Sequence, residues 1–406
     1  MRRHLLLVPV LSGAAMLGLC LALLIPDGIM DPGLFYSARA AVSDMLTGHI
    51  VALPLMAGVA GADAVFSMLG KRGIVIKSLP RNARTRLLLS RVAQLWLGAT
   101  AGLVVICSIA IIVSVAHGSR LTWAALTLLP ITLCGLAAHI CIGYAVGYWW
   151  SSWFAPPVLV VAGYLRANFG IGGLIDWYNG AGLPWSVYQH PTPAFYFMAL
   201  AALVCLTAVG LLWLLAQRTP AWITTAAALS VACLVAITVS GNSIDPDVTW
   251  WQNDETTSWP CHALPEGTTV CISPERPADI RLAIDQLTPL VPQFLALDPT
   301  LTNARWMPED MVSPGELAFQ LPLGQDISTW DQADTAASNL NQACLQRWFS
   351  TSQETSMRIT NDELALAAWL SGDQADKETL QAFNVSIPVN MPTAQGAYNR
   401  LVKCDY

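Results

Sequence analysis

The sequence predicts a polytopic α-helical membrane protein of about seven transmembrane helices, followed by a disulfide-bearing, mainly helical α+β extracytoplasmic domain. Three observations carry this reading. Of 406 residues, 54% are hydrophobic and 12% charged, with a mean hydropathy of +0.49, a balance too apolar for a soluble globule. Charge is unevenly divided: residues 1–240 hold 13 Lys and Arg against 5 Asp and Glu, whereas 241–406 hold 8 against 22. Four of the ten cysteines also fall in the acidic second part. Two domains are implied, 1–240 in the membrane and 241–406 outside it. The acidic part is a poor nucleic-acid binder, and seven of the sixteen Trp lie in it, which argues against disorder.

A bilayer core requires about 20 apolar residues per helix. Seven runs reach that length: Leu5–Ile25, Ile50–Leu69, Leu89–Val115, Leu121–Val146, Pro156–Leu174, Phe195–Ala216 and Ala221–Val239. The first reads as a start-transfer helix, since more membrane sequence follows it. Basic residues stay on the cytoplasmic side, and the largest cluster is Lys71, Arg72, Lys77, Arg81, Arg84, Arg86 and Arg91. Placing it inside puts the N-terminus in the cytoplasm and, after an odd number of spans, the C-terminal domain outside the plasma membrane. Arg120 departs from this pattern. The turn at Gln217-Arg218-Thr219-Pro220 is its weak point, because one bent helix there would return the tail to the cytoplasm.

Six cysteines lie within the apolar runs, where a thiol is a small packing residue. The other four, Cys261, Cys271, Cys344 and Cys404, read as a disulfide framework in an oxidising compartment. Sequence proximity favours Cys261 with Cys271 and Cys344 with Cys404. Zinc is the competing reading, but there is no C-x-x-C and His262 is the one histidine of the tail.

Catalytic signatures are missing from the sequence. It has no H-E-x-x-H, no G-x-x-x-x-G-K-[ST] and no G-x-S-x-G, and no catalytic residue, metal ligand or cofactor of its own is expected. Polar residues at membrane depth are functional candidates: Asp63, His139, Arg166 and, in the outer segment after the fifth run, Asp176. Each has a plainer reading. Asp63 pairs with the basic loop, His139 bonds a neighbouring helix, and Arg166 snorkels outward or pairs with Asp176. Ala57 with Gly61, and Gly98 with Gly102, have the four-residue spacing that permits close helix packing. Trp149, Trp150 and Trp153 read as interfacial anchors. The Gly- and Trp-rich stretch 173–185 is either an outer loop or a segment dipping into the outer leaflet.

The segment Gly61-Ala62-Asp63-Ala64, followed by Lys71-Arg72-Gly73-Ile74-Val75-Ile76-Lys77-Ser78-Leu79-Pro80-Arg81, resembles the first cytoplasmic loop of type-two ABC exporter permeases. The resemblance covers residues 1–217. It implies a short coupling helix, carried on Lys71, Arg72, Gly73, Lys77, Leu79, Pro80, Arg81 and Arg84, that rests in a cleft of a separate cytosolic ABC ATPase. ATP and Mg would then belong to that partner, and a second permease copy or homologue would complete the transporter. Cys261-His262 through Val270-Cys271-Ile272-Ser273-Pro274-Glu275-Arg276 is similar to the extracytoplasmic domains of permease-like actinobacterial proteins. A seventh span departs from the family's usual six. A basic loop bearing Ile74, Ile76 and Leu79 fits a protein contact, and equally an anionic lipid surface. The function expected is a permease subunit of unknown substrate. The alternative is a non-transporting sensor or immunity protein that binds an extracellular peptide through its tail.

Within the tail, helices are expected over Pro277–Leu297, interrupted by Pro289 and Pro292, over Trp330–Phe349, from Asn361 as N-cap, and over Ala394–Lys403. Strands are expected near Arg305–Met307 and Leu317–Leu323.

Overall fold

A computed structural model describes residues 10–18, 37–47, 49–169, 188–215, 225, 228, 251–313, 315–321, 327–340, 353–383, 385 and 388–405. The chain is mostly helical and divides into two compact units. The first comprises residues 1–116 and 121–252, and the second 117–120 and 253–406.

The helices of the first unit are α1 (10–18), α2 (Ala38–Thr47), α3 (His49–Met68), α4 (Gly70–Ser78), α5 (Arg81–Ala116), α6 (Leu129–Trp150), α7 (Ala155–Phe169) and α8 (Pro193–Leu215). Three segments, Arg81–Ala116, Trp123–Trp150 and Tyr196–Leu215, are long and apolar enough to cross a membrane. Seven such helices are not seen among the described residues. The apolar part of α3 is Ala52–Met68 and α7 has 15 residues. The first and seventh predicted runs lie largely outside the described residues.

Small residues set how closely these helices approach. A Cβ on Gly143 would lie 2.1 Å from the Ala57 carbonyl oxygen, and one on Gly147 2.3 Å from that of Gly61. The pair Ala57/Gly61 on α3 therefore seats against Gly143/Gly147 on α6, backbone to backbone. Gly98 and Gly102 of α5 do the same with α1, where a Cβ on Gly102 would meet the Gly13 carbonyl at 2.4 Å. Matching contacts along the helices give directions. Leu53 meets Gly135 and Ala57 meets Gly143, so α3 and α6 run parallel; Leu203 near Gly135 and Gly210 against Cys141 put α8 parallel to them. Pro54 against Gly163 and Gly58 against Val160 make α7 antiparallel to α3.

The bundle has two distinguishable ends. At one, α2 packs against the end of α5 and the 3-10 turn Trp123–Leu126, and the Arg39 guanidinium donates to the Gln189 carbonyl at 2.5 Å. Strand β1 (Gln189–Pro191) pairs there with β2 (Trp251–Asn253). At the other end are α4, the start of α5, and the end of α8, where Trp149 Nε1 donates to the Trp213 carbonyl at 2.8 Å.

The second unit is built on a four-stranded sheet in the order β3 (Cys261–Ala263), β4 (Thr269–Cys271), β5 (Arg305–Pro308), β6 (Leu317–Phe319). The pair β3/β4 is antiparallel, and β4/β5 and β5/β6 are parallel. Helices α9 (Ile280–Leu287) and α10 (Val291–Leu297) connect β4 to β5, as a parallel crossover requires. Trp306 of β5 is wholly buried and meets Phe294 of α10 edge to face at 5.3 Å. Further helices are α11 (Thr329–Asn339), α12 (Gln353–Ser371), α13 (Lys377–Ala382) and α14 (Met391–Lys403). Buried Ala333, Ala336 and Ala337 let α11 lie close on its neighbours, and a forked pair from Arg400 to Asp362 ties α14 to α12.

Several expectations for the tail need correction. The stretch Pro277–Leu297 does break at Pro289, which removes a backbone donor, but it opens with a 3-10 turn at Pro277–Asp279, and Pro292 sits in the first turn of the second helix, where proline is tolerated, and breaks nothing. Asn361 is no cap: α12 begins eight residues earlier because Ile359, 1% exposed, extends its apolar face upstream. Helix α14 starts at Met391, capped by the Asn390 side chain, which accepts from Thr393 N at 2.9 Å. Strand β6 stops at Phe319. Beyond it, fully buried Gln332 takes over the ladder, accepting from Gln320 N at 2.9 Å and donating to Gln320 O at 2.8 Å. The helix expected over Trp330–Phe349 is α11, ending at Asn339; residues 341–349 lie outside the described residues.

Candidate functional site

Two features share one end of the helical unit: a basic elbow made by α4 and the start of α5, and a polar cluster between α3, α5 and α6.

The elbow begins where α3 ends. Gly73 sits so near α3 that a Cβ would lie 1.9 Å from the Met68 carbonyl oxygen, so only glycine lets α4 fold back there. Leu79 is extended, Pro80 is fixed at the turn, and α5 starts at Arg81. Arg84, 6% exposed, reaches back to the end of α4 and donates to the carbonyls of Lys77 and, at 3.1 Å, Leu79. A cation on those last carbonyls answers both their missing partners and the negative end of the helix. Ile76 packs onto the bundle core, whereas Ile74 and Val75 are 70% and 59% exposed. Lys77, Pro80, Arg81 and Arg86 are exposed beside them, so a small apolar knob stands within a ring of cations. Lys71 and Arg72 fall on α4 with side chains outside the described part. Of the predicted loop residues, Gly73 and Arg84 therefore build the elbow, and Lys77, Pro80 and Arg81 face outward.

The cluster centres on Asp63. Arg91 on α5 and Tyr144 on α6 are within electrostatic range of its carboxyl group. Asp63 Oδ2, Arg91 NH1 and the Tyr144 hydroxyl are all buried without a hydrogen-bond partner. Ser67 stands near the phenol, outside hydrogen-bonding geometry. Of the cations expected to pair with Asp63, Arg91 comes within electrostatic range. Tyr144 went unrecognised, since an aromatic in an apolar run gives no sign of which face it takes.

The other intramembrane candidates stand apart. His139, 3% exposed, is bonded through Nδ1 to the Gly135 carbonyl of its own helix at 2.8 Å. Arg166 lies on α7 with its side chain outside the described part, and Asp176 lies outside the described residues, as does most of the stretch 173–185. No group of His, Cys, Asp and Glu able to hold a metal occurs among the described residues.

In the second unit, Cys261 is disulfide-bonded to Cys271, directly opposite it in the β3/β4 register. Cys404 is disulfide-bonded too; Cys344 lies outside the described residues. Arg276 and Asp279, both buried, form a forked pair at 2.7 and 2.8 Å, and Arg276 also donates to the His117 carbonyl at 2.8 Å. Arg120 N donates to the Glu275 carbonyl at 2.8 Å. The link 117–120 is thereby fastened into this unit.

Together these features define a membrane-associated helical protein with a basic elbow and a disulfide-bonded, sheet-containing C-terminal unit. Set against known protein families, curated proteins and solved structures, the chain matches none.

Proposed function

We propose that the protein is a multi-pass plasma-membrane permease subunit of an ABC transporter, driven by a separate cytosolic ATPase that docks on the α4–α5 elbow. The observation that carries this reading is the elbow itself: a nine-residue helix, clamped by Arg84, that displays Ile74 and Val75 to solvent among cations. An exposed apolar pair is costly unless something covers it, and the surrounding positive charge steers an acidic partner. A rigid elbow transmits force better than a loose loop. ATP and Mg reside on the partner, and a second permease copy faces this one.

The bundle geometry supports seven spans. Helix α8 leaves the β1 end at Pro193 and finishes at the elbow end beside Trp149. Trp251 is back at the first end, paired with β1. In this reading the seventh apolar run, Ala221–Val239, is the span that returns the chain from the elbow end to the first end. With the elbow in the cytoplasm, the C-terminal unit is then outside, where its disulfides persist.

The test is co-purification of the full-length protein with any ABC ATPase found encoded beside its gene, comparing wild type with Val75→Asp and Arg84→Ala. Complex formation that is lost in Val75→Asp supports docking. Failure of the wild type to bind or stimulate that ATPase, together with peptide binding by the intact protein, would instead favour the sensor reading.

A further inference from the structure

We propose that Asp63, Arg91 and Tyr144 enclose a hydrated chamber inside the helical unit, with Asp63 as its proton-exchanging group. The inference goes beyond the docking of an ATPase and does not rest on it.

Three helices each bring an unpaired polar group to this place. Asp63 Oδ2 comes from α3, Arg91 NH1 from α5 and the Tyr144 hydroxyl from α6. Tyr144 is wholly buried. Buried polar atoms are nearly always bonded to protein or to water. Three orphans in one neighbourhood therefore call for an occupant. Its chemistry follows from the donors and acceptors. The guanidinium and the phenol donate, the carboxylate accepts, and water does both. Arg91 opposes a bare metal cation at Asp63, and Asp63 opposes an anion at Arg91, so a neutral occupant fits best.

Asp63 is the group able to take and release a proton there. It lies five residues before the end of α3, roughly 7–8 Å along the axis from the elbow. Arg91 faces it from α5, Tyr144 from α6 with Tyr148 nearby, and Ser67 from the next turn of its own helix. Helix α7 contributes apolar Leu159 beside Gly61. Gly61 packs closely on Gly143 and Gly147, which seats α3 against α6 beside the cluster.

A lipid-soluble carbodiimide reads such a carboxyl directly. The acid oxygen bonds to the central carbon of the N=C=N group, its proton passes to nitrogen, and an oxygen-to-nitrogen acyl shift leaves a stable N-acylurea with nothing expelled. Membranes containing the full-length protein are treated with N,N′-dicyclohexylcarbodiimide across a pH series and mapped by peptide mass spectrometry. The expected result is an adduct on Asp63 that falls about tenfold per pH unit once the proton is lost, and that is missing in Asp63→Asn. The same mapping is run on Arg91→Gln. An adduct in Arg91→Gln but not in wild type would show a closed ion pair with no chamber, and no adduct in either protein would overturn the proposal equally.

Discussion

At the scale of single residues, the tail is held by polar groups whose charge the surroundings fix. The Tyr398 hydroxyl donates to Asp298 Oδ2 at 3.0 Å, and the Thr300 hydroxyl donates to Oδ1 at 2.6 Å. The Thr300 hydroxyl first, then its backbone N–H and Tyr398, hold the Asp298 carboxyl below the usual carboxylate range against the opposing effect of burial. Burial first, then Asp298, pushes the Tyr398 phenol well above its usual range. The signs are opposite. Stability from Asp298 is present above about pH 4 and is lost as acid protonates it; stability from Tyr398 is present below about pH 10 and is lost as the unfolded phenol ionises. Thermal melts followed by near-UV absorbance should show the folded tail weakening at both extremes. Tyr398→Phe should flatten the alkaline limb and move the acid limb to higher pH, while a variant whose alkaline limb is unchanged would remove Tyr398 from this account.

At the scale of elements, glycine decides which helices can touch. Gly143 and Gly147 have the α3 backbone where their side chains would be, whereas Gly18, on α1, has nothing within 4 Å of its would-be Cβ. Gly143→Leu must force α3 and α6 apart, strip the contacts made between them and cost several kcal/mol in this close-packed interior. Its detergent-purified protein should elute as aggregate or melt well below wild type. Gly18→Leu should match wild type, because its side chain enters open space. Equal behaviour of the two variants would refute the packing argument. The forked Arg276–Asp279 pair is the tail's counterpart: with both partners buried, removal of either strands a charge in the interior.

At the scale of the whole molecule, the proposed orientation rests on the charge split. Helix α5 has 36 residues, about 54 Å of axis, against a hydrocarbon core of about 30 Å. It starts in the basic elbow and ends at the link 117–120 that belongs to the second unit. Impermeant maleimide added to intact cells should label Thr257→Cys, which is exposed at the start of the tail, and leave Lys77→Cys untouched until the membrane is opened. The reverse pattern would invert the orientation, and labelling of both positions from outside would place the two units on one side.

The sequence by itself determined that the chain carries helices long and apolar enough to cross a membrane, that cysteines of the tail are disulfide-bonded, and which loop carries the cations. These follow from composition and from spacing along the chain, and apolar length, small-residue pairs and Cys261–Cys271 proximity are all local properties. Ala57/Gly61 and Gly98/Gly102 were legible as contact pairs, yet nothing in their spacing named Gly143/Gly147 or Gly13 as the surfaces they meet. Strands β3 and β4, three residues each, are too short for an alternating pattern to register. Asn361 looked like a cap because a polar residue before an apolar run is one, until Ile359 found a core upstream. What only the tertiary structure decided is the gathering of Asp63, Arg91 and Tyr144, and the clamp of Arg84 on α4. Both depend on where helices distant in sequence cross, and that is set by backbone approach at glycines rather than by the polar residues themselves.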